Sequence, residues 1–75
     1  MKNIKIYLFN EGIEYEESRY EGQSNYLKFM IGQQIYLVTD YGNHYELESI
    51  NQDMHFEAKN QKAIVMILTN LKEVS

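Results

Sequence analysis

The fold is decided by residues 25–39, NYLKFMIGQQIYLVT, in which two runs of strand-forming residues flank a short polar segment. Aromatic and β-branched side chains pack well on a pleated sheet, and glycine supplies the positive φ that tight hairpin turns need. With Gly32 and Gln33 as a two-residue loop, Leu27 lies opposite Val38. The stretch therefore predicts a β-hairpin with one apolar face.

Strand and turn signals continue on both sides of this hairpin. The four glycines lie ten residues apart, at positions 12, 22, 32 and 42, each within a polar segment. Turn signals at intervals of roughly 8–12 residues are typical of antiparallel β proteins. The predicted strands are Lys2–Phe9, Ile13–Tyr20, Asn25–Ile31, Gln34–Thr39, His44–Ile50 and Asp53–Ala58.

Two further turns extend the predicted register. A two-residue loop at Tyr41 and Gly42 places Val38 opposite Tyr45, and a loop at residues 51–52 places Leu47 opposite Phe56. A slip of one residue would invert every side chain, so the agreement of three turns on a single apolar face supports this register. That face consists of Leu27, Phe29, Ile31, Tyr36, Val38, Tyr45, Leu47, Met54 and Phe56.

The first predicted hairpin has two alternative registers. A three-residue loop over residues 10–12 would pair Phe9 with Ile13, whereas a two-residue loop would pair Leu8 with Tyr15. Both loops place a glycine or a polar residue in the turn. The sequence leaves both registers open.

The C-terminal segment, residues 60–74, favours a helix. Asn60 is a suitable N-cap residue, and a helix would gather the apolar side chains on one face. As a strand, residues 63–69 would be apolar on both faces, which suits only a central strand of a sheet. The predicted helical face consists of Ala63, Ile64, Ile67, Leu68, Leu71 and Val74.

These elements predict one α+β domain over residues 1–75, an antiparallel β-meander of five to six short strands with one C-terminal helix packed on the sheet. The alternative is a small all-β barrel. Met30, Ile35 and Leu37 fall on the sheet face opposite the apolar one. A barrel would enclose them, whereas an open sheet would expose them as a patch for homodimer contact.

Composition excludes several functional classes. The 75 residues contain no cysteine, which excludes disulfides, a thiolate zinc site and a thiol nucleophile. No stretch approaches the ~20 apolar residues of a membrane span, and the N-terminal residues do not resemble a signal peptide. We therefore expect a cytoplasmic protein without membrane contact. The net charge of −4 argues against direct binding of nucleic acid.

Enzymatic activity is not expected. The serines show no nucleophile-elbow motif, and none of the glycines opens a helix after a strand as a phosphate loop would. A two-layer domain of this size rarely holds a cleft deep enough to shift a catalytic pKa. We predict no catalytic residues and no cofactor.

The charge is concentrated in residues 11–21. This acidic segment contains five glutamates and one arginine, so it carries the whole net charge of −4. Tyrosine, which is enriched at protein interfaces, occurs within it. The predicted partner-binding residues are Glu11, Glu14, Tyr15, Glu16, Glu17, Tyr20 and Glu21.

Carboxylates on one face of a strand lie about 6.6 Å apart, twice the strand rise of about 3.3 Å. Phosphates along one DNA strand repeat at roughly 6–7 Å. The leading hypothesis is therefore a small inhibitor or modulator of the phage or mobile-element type, such as an anti-CRISPR protein or a toxin antagonist. It would occupy a basic nucleic-acid-binding surface of a protein partner. In the alternative interpretation, the charges only protect an exposed strand edge.

Two further hypotheses belong to other classes. The first is a homodimeric structural module that uses Met30, Ile35 and Leu37. The second is a metal- or ligand-binding protein, because the repeated His-aromatic-Glu pattern places imidazoles and carboxylates on one sheet face. Alternation alone also puts polar residues there, and the spacing matches no known metal motif. The candidate ligands are His44, Glu46, His55 and Glu57.

Overall fold

The computed structural model describes residues 1–18 and 25–74. Five antiparallel strands form one sheet in the order β1-β2-β3-β4-β5, so each strand pairs with its neighbour in the chain. The described strands form an open meander and not a closed barrel, which confirms the predicted α+β class. The elements are α1 (Lys2–Asn10), β1 (Tyr15–Ser18), β2 (Asn25–Ile31), β3 (Gln34–Asp40), β4 (Tyr45–Ser49), β5 (Met54–Ala58) and α2 (Gln61–Val74).

The central hairpin has the predicted register. Leu27 lies opposite Val38, and the Gly32 φ angle of +63° allows the tight turn between β2 and β3. The β4–β5 register is also confirmed, with Leu47 opposite Phe56. In both hairpins a short polar turn and strict alternation of side chains were enough to define the pairing.

The β3–β4 register differs from the prediction by two residues. Val38 lies opposite Leu47 instead of Tyr45, because the turn is two residues longer than predicted. The Asp40 Oδ1 atom accepts a hydrogen bond of 2.8 Å from the Gly42 N–H, which stabilises the longer turn. A shift of two residues keeps every side chain on the same face, so the predicted apolar face is correct.

The predicted strand Lys2–Phe9 is wrong, because these residues form α1. The helix ends in a Schellman motif, in which the Gly12 N–H donates to the Phe9 carbonyl and the Ile13 N–H donates to the Leu8 carbonyl. Gly12 adopts a φ of +69° there. Both predicted registers of the first hairpin are therefore wrong.

Strand β1 pairs with β2, placing Tyr15 opposite Phe29 and Glu17 opposite Leu27. It begins two residues later than the predicted strand Ile13–Tyr20. The predicted partner-binding residues Tyr20 and Glu21 lie outside the described residues.

Both helices pack on the same face of the sheet, where they bury the core. Most of the predicted apolar face is buried beneath them, but Phe56 remains 41% exposed because β5 is an edge strand. The buried apolar residues are Ile4, Leu8, Leu27, Phe29, Ile31, Tyr36, Val38, Leu47, Ala58, Ile64 and Leu68.

Helix α2 confirms the C-terminal prediction. The Asn60 Oδ1 atom accepts a hydrogen bond of 2.9 Å from the Ala63 N–H, as expected for an N-cap. Ile64 and Leu68 are fully buried. Val74, predicted on the same face, is exposed at the end of the helix.

The two helices run parallel and are joined at both ends. At one end, the Gln61 Oε1 atom accepts hydrogen bonds from the N–H groups of Asn3 (2.8 Å) and Ile4 (3.3 Å). At the other end, the Lys72 Nζ atom lies 3.0 Å from the Glu11 carboxylate. Because the N-cap residue of α1 makes no side-chain cap, Gln61 supplies the acceptor from the neighbouring helix.

Substitution Gln61→Ala should lower the free energy of unfolding by about 1 kcal/mol, the usual effect of losing a helix cap. Gln61→Glu should retain most of the stability, because its carboxylate still accepts these bonds and favours the positive end of the α1 dipole. Urea denaturation followed by circular dichroism measures both changes. An equal loss in the two variants would contradict the capping role.

Candidate functional site

A shallow groove lies where β1 begins beside the longer strand β2. Because β1 starts at Tyr15 opposite Phe29, Met30 extends beyond the end of β1. The groove has a volume of about 490 Å³. Its principal lining residues are Ile13, Glu14, Tyr15, Glu16, Lys28, Met30 and Ile35.

A second depression, of about 480 Å³, extends this groove toward α1. The two share the chain segment from Gly12 to Tyr15. Phe9, in the last turn of α1, is 81% exposed beside it, and Met30 is 53% exposed in the first groove. We call the two depressions together the α1–β1 surface; its residues are Phe9, Ile13, Glu14, Tyr15, Glu16, Met30 and Ile35.

The structure separates the predicted acidic residues into two groups. Glu14 and Glu16 line the α1–β1 surface, and neither belongs to an ion pair within the described part of the chain. Glu17 instead pairs with Lys5 of α1, and Glu11 pairs with Lys72 of α2. Two of the predicted carboxylates therefore face the groove, whereas two others link elements of the fold.

The same surface joins two residue sets that were predicted separately. Met30 and Ile35, proposed for a dimer patch, line the groove that also contains Glu14 and Glu16. Leu37 lies farther along the open sheet face, and is half-buried. The sequence prediction missed Phe9 as a surface residue because it assigned that residue to a strand.

Imidazoles and carboxylates converge at a second place, on the open face of β4 and β5. The Glu46 carboxylate lies 2.9 Å from the His44 Nε2 atom through Oε2, and 2.6 Å from the His55 Nε2 atom through Oε1. Glu57 lies opposite Glu46 on β5. One ligand atom from each of His44, Glu46 and Glu57 lies within 4.8 Å of the others. We call His44, Glu46, His55 and Glu57 the His–Glu cluster.

Contacts within the His–Glu cluster shift the pKa values of Glu46 and His55. Hydrogen bonds to His44 and His55 lower the pKa of Glu46, because they stabilise its ionised form. The hydrogen bond to Glu46 raises the pKa of His55, and the nearby charges of Glu48 and Glu57 act in the same direction. Protonated His55 and ionised Glu46 therefore stabilise each other.

Stability from this pair should be greatest between about pH 4.5 and 6.5, the ordinary pKa values of glutamate and histidine. The His55 contribution is lost as pH rises through its raised pKa, and the Glu46 contribution is lost as pH falls through its lowered pKa. In Glu46→Gln the pKa of His55 should fall toward 6.5. A histidine titration by nuclear magnetic resonance measures this shift, and Glu73→Gln is the control. An unchanged His55 titration in Glu46→Gln would contradict the pairing.

Comparison of the chain with protein-family models, curated proteins and solved structures gave no match. Neither α1 nor α2 is long and apolar enough to cross a membrane, and this holds for every helix within residues 1–18 and 25–74.

Proposed function

We propose that the protein is a non-enzymatic interaction module that binds a basic surface of another protein through the α1–β1 surface. The main supporting observation is that Glu14 and Glu16 line the groove that contains the exposed Met30, and that Glu14 also lines the depression beside the exposed Phe9. Aromatic and methionine side chains are enriched at the centres of interfaces, and charged groups occupy the rim. An acidic segment that only protects a strand edge would not require an exposed phenylalanine.

The charge of the surface supports a basic partner. Glu14 and Glu16 alternate along the chain as it enters β1, and the segment around them carries the net negative charge of the protein. Such a field accelerates encounter with a positive groove and disfavours acidic partners. The proposed target is a nucleic-acid-handling protein. Small size and acidity fit a cytoplasmic inhibitor of the phage or mobile-element type.

The residues that line the groove support a binding role over a catalytic one. Within residues 1–18 and 25–74, no serine, threonine or histidine lines the groove. Glu14 and Glu16 are also exposed, whereas catalytic carboxyl groups are usually buried in a cleft. The surface is therefore suited to binding a partner by its shape and its charge.

Charge reversal tests the proposed function. In Glu14→Lys/Glu16→Lys, affinity for a partner captured from a host lysate and then purified should fall about tenfold or more, with a weaker salt dependence. Duplex DNA should compete for the same site on the partner. The matched control is Asp53→Lys/Glu73→Lys, which changes the net charge equally at two exposed positions away from the groove.

Phe9→Ala provides a second arm of this experiment. Because Phe9 is 81% exposed, its removal should weaken binding without lowering the free energy of unfolding. Equal losses in the charge-reversal variant and its matched control would contradict the proposal. Unchanged binding in the charge-reversal variant would also contradict it.

A homodimeric module is the second candidate function. Leu37 lies on the open sheet face between Lys28 of β2 and Glu48 of β4. A two-fold axis along β3 would place Lys28 of one copy against Glu48 of a second copy, around an apolar centre of Met30, Ile35 and Leu37. Opposite charges across such an interface favour its register.

For this second candidate, sedimentation velocity of the wild-type chain should show a dimer at micromolar concentration. Leu37→Glu should give a monomer, because it places a charge in the apolar centre. Lys28→Glu should also weaken the dimer, whereas the exposed substitution Glu73→Gln should not. A wild-type monomer at about 100 μM would exclude the homodimer.

A further inference from the structure

The His–Glu cluster lies far from the α1–β1 surface on the sheet. Glu46 is opposite Thr39 and Glu57, at the end of the sheet where β5 leads into α2. The α1–β1 surface lies at the other end, where Met30 is opposite Ile35. The cluster is therefore independent of the proposed partner-binding groove.

The His44 ring is held on three sides. Its Nδ1 atom lies 2.6 Å from the Asn43 Oδ1 atom, and its Nε2 atom lies 2.9 Å from the Glu46 Oε2 atom. The ring also stacks on Tyr41, with centroids 5.0 Å apart and an interplanar angle of 11°. This residue is thus oriented by contacts on both ring nitrogens and on one face.

One tautomer of His44 directs the Nε2 lone pair at the Glu46 carboxylate, as in a metal-binding histidine. A neutral imidazole carries a single N–H. If Nδ1–H donates to Asn43, the Nε2 lone pair faces the carboxylate of Glu46. A proton or a metal ion between Nε2 and the carboxylate removes this repulsion. Donation from the distal ring nitrogen to a protein oxygen is the usual arrangement of a metal-binding histidine.

His55 approaches the second oxygen of the same carboxylate. Its Nε2 atom lies 2.6 Å from the Glu46 Oε1 atom. Two imidazoles from different chain segments therefore converge on one carboxylate. Glu57 adds a second carboxylate, within 4.8 Å of the ligand atoms of His44 and Glu46. Glu48, opposite His55, increases the local negative charge.

The distances among His44, Glu46 and Glu57 suit one tetrahedral zinc ion after small side-chain rotations. His55 lies outside that group and would reach the same ion by turning away from the Glu46 Oε1 atom. Zinc lies about 2.0–2.2 Å from nitrogen and oxygen ligands, which places the ligands of one ion roughly 3.3–3.6 Å apart. Glu46 is close to both histidines, and the His44, Glu46 and Glu57 ligand atoms lie within 4.8 Å of one another. Side-chain rotation alone adjusts separations of this size. Imidazole donors favour zinc over calcium or magnesium, which prefer oxygen ligands alone.

We infer that His44, Glu46, His55 and Glu57 form a binding site for one Zn²⁺ ion on the open face of the sheet. The two imidazole nitrogens and the Glu46 carboxylate supply three ligands, and Glu57 supplies the fourth. Glu48 strengthens the local field without contacting the ion. The site would join the β3–β4 turn to the edge strand β5.

Titration of the full chain with zinc chloride tests this inference. Calorimetry should show one Zn²⁺ per chain, and the Nε2 resonances of both histidines should shift in nitrogen-detected spectra. The chain has two histidines and no cysteine, so His44→Gln and His55→Gln each remove a defined ligand. Each substitution should weaken zinc binding at least tenfold. The control Glu14→Gln/Glu16→Gln should bind zinc as the wild type does.

Two results would overturn the inference. One is the absence of heat and of histidine shifts with zinc at up to about 1 mM, which would leave an affinity too weak for a specific site. The other is an affinity that falls equally in His55→Gln and in Glu14→Gln/Glu16→Gln. Circular dichroism of each variant confirms that it is folded before titration. Magnesium chloride, tested in parallel, should give no histidine shift.

Discussion

Packing of α1 against α2 is the constraint on which the rest of the structure depends. Ile4 and Leu8 of α1 and Ile64 and Leu68 of α2 are fully buried in one cluster above the sheet. Burial of each such side chain contributes about 1.5–3 kcal/mol, so these four side chains are a large part of a small core. Because α1 and α2 come from the two ends of the described chain, their contact also joins the first and last elements.

The position of the helices determines which surfaces remain open. Helix α2 contacts β4 and β5, while the Lys5–Glu17 ion pair connects α1 with β1. With both helices on one face, the other face of the sheet has no covering layer in the described chain. The His–Glu cluster arises from this arrangement, and so does the part of the α1–β1 surface formed by Glu16, Met30 and Ile35, since alternation sends every second side chain to the uncovered face.

The candidate sites were predictable to different degrees. The four residues of the His–Glu cluster follow from alternation and from the β4–β5 register, both of which the turn signals supplied. Alternation does not predict that the two histidines converge on the Glu46 carboxylate, because this depends on side-chain rotamers and on the longer β3–β4 turn. In the acidic segment, the sequence could not separate Glu14 and Glu16 from Glu11 and Glu17. Only the positions of Lys5 and Lys72 on the helices show that separation.

The sequence by itself determined the hairpin of β2 and β3, the apolar face of the central strands and the capped helix α2. In each of these elements, the turn or cap residues and the spacing of the apolar residues indicate the same secondary structure. Only the tertiary structure decided α1. Ile4, Ile6 and Leu8 alternate as on one face of a strand, but Ile4 and Leu8 are also four residues apart, as on one face of a helix. Gly12 likewise suits either a hairpin turn or the end of a helix. The helical form of α1 is favoured because Ile4 and Leu8 can then pack against the buried side chains of α2, while Ile6 remains exposed.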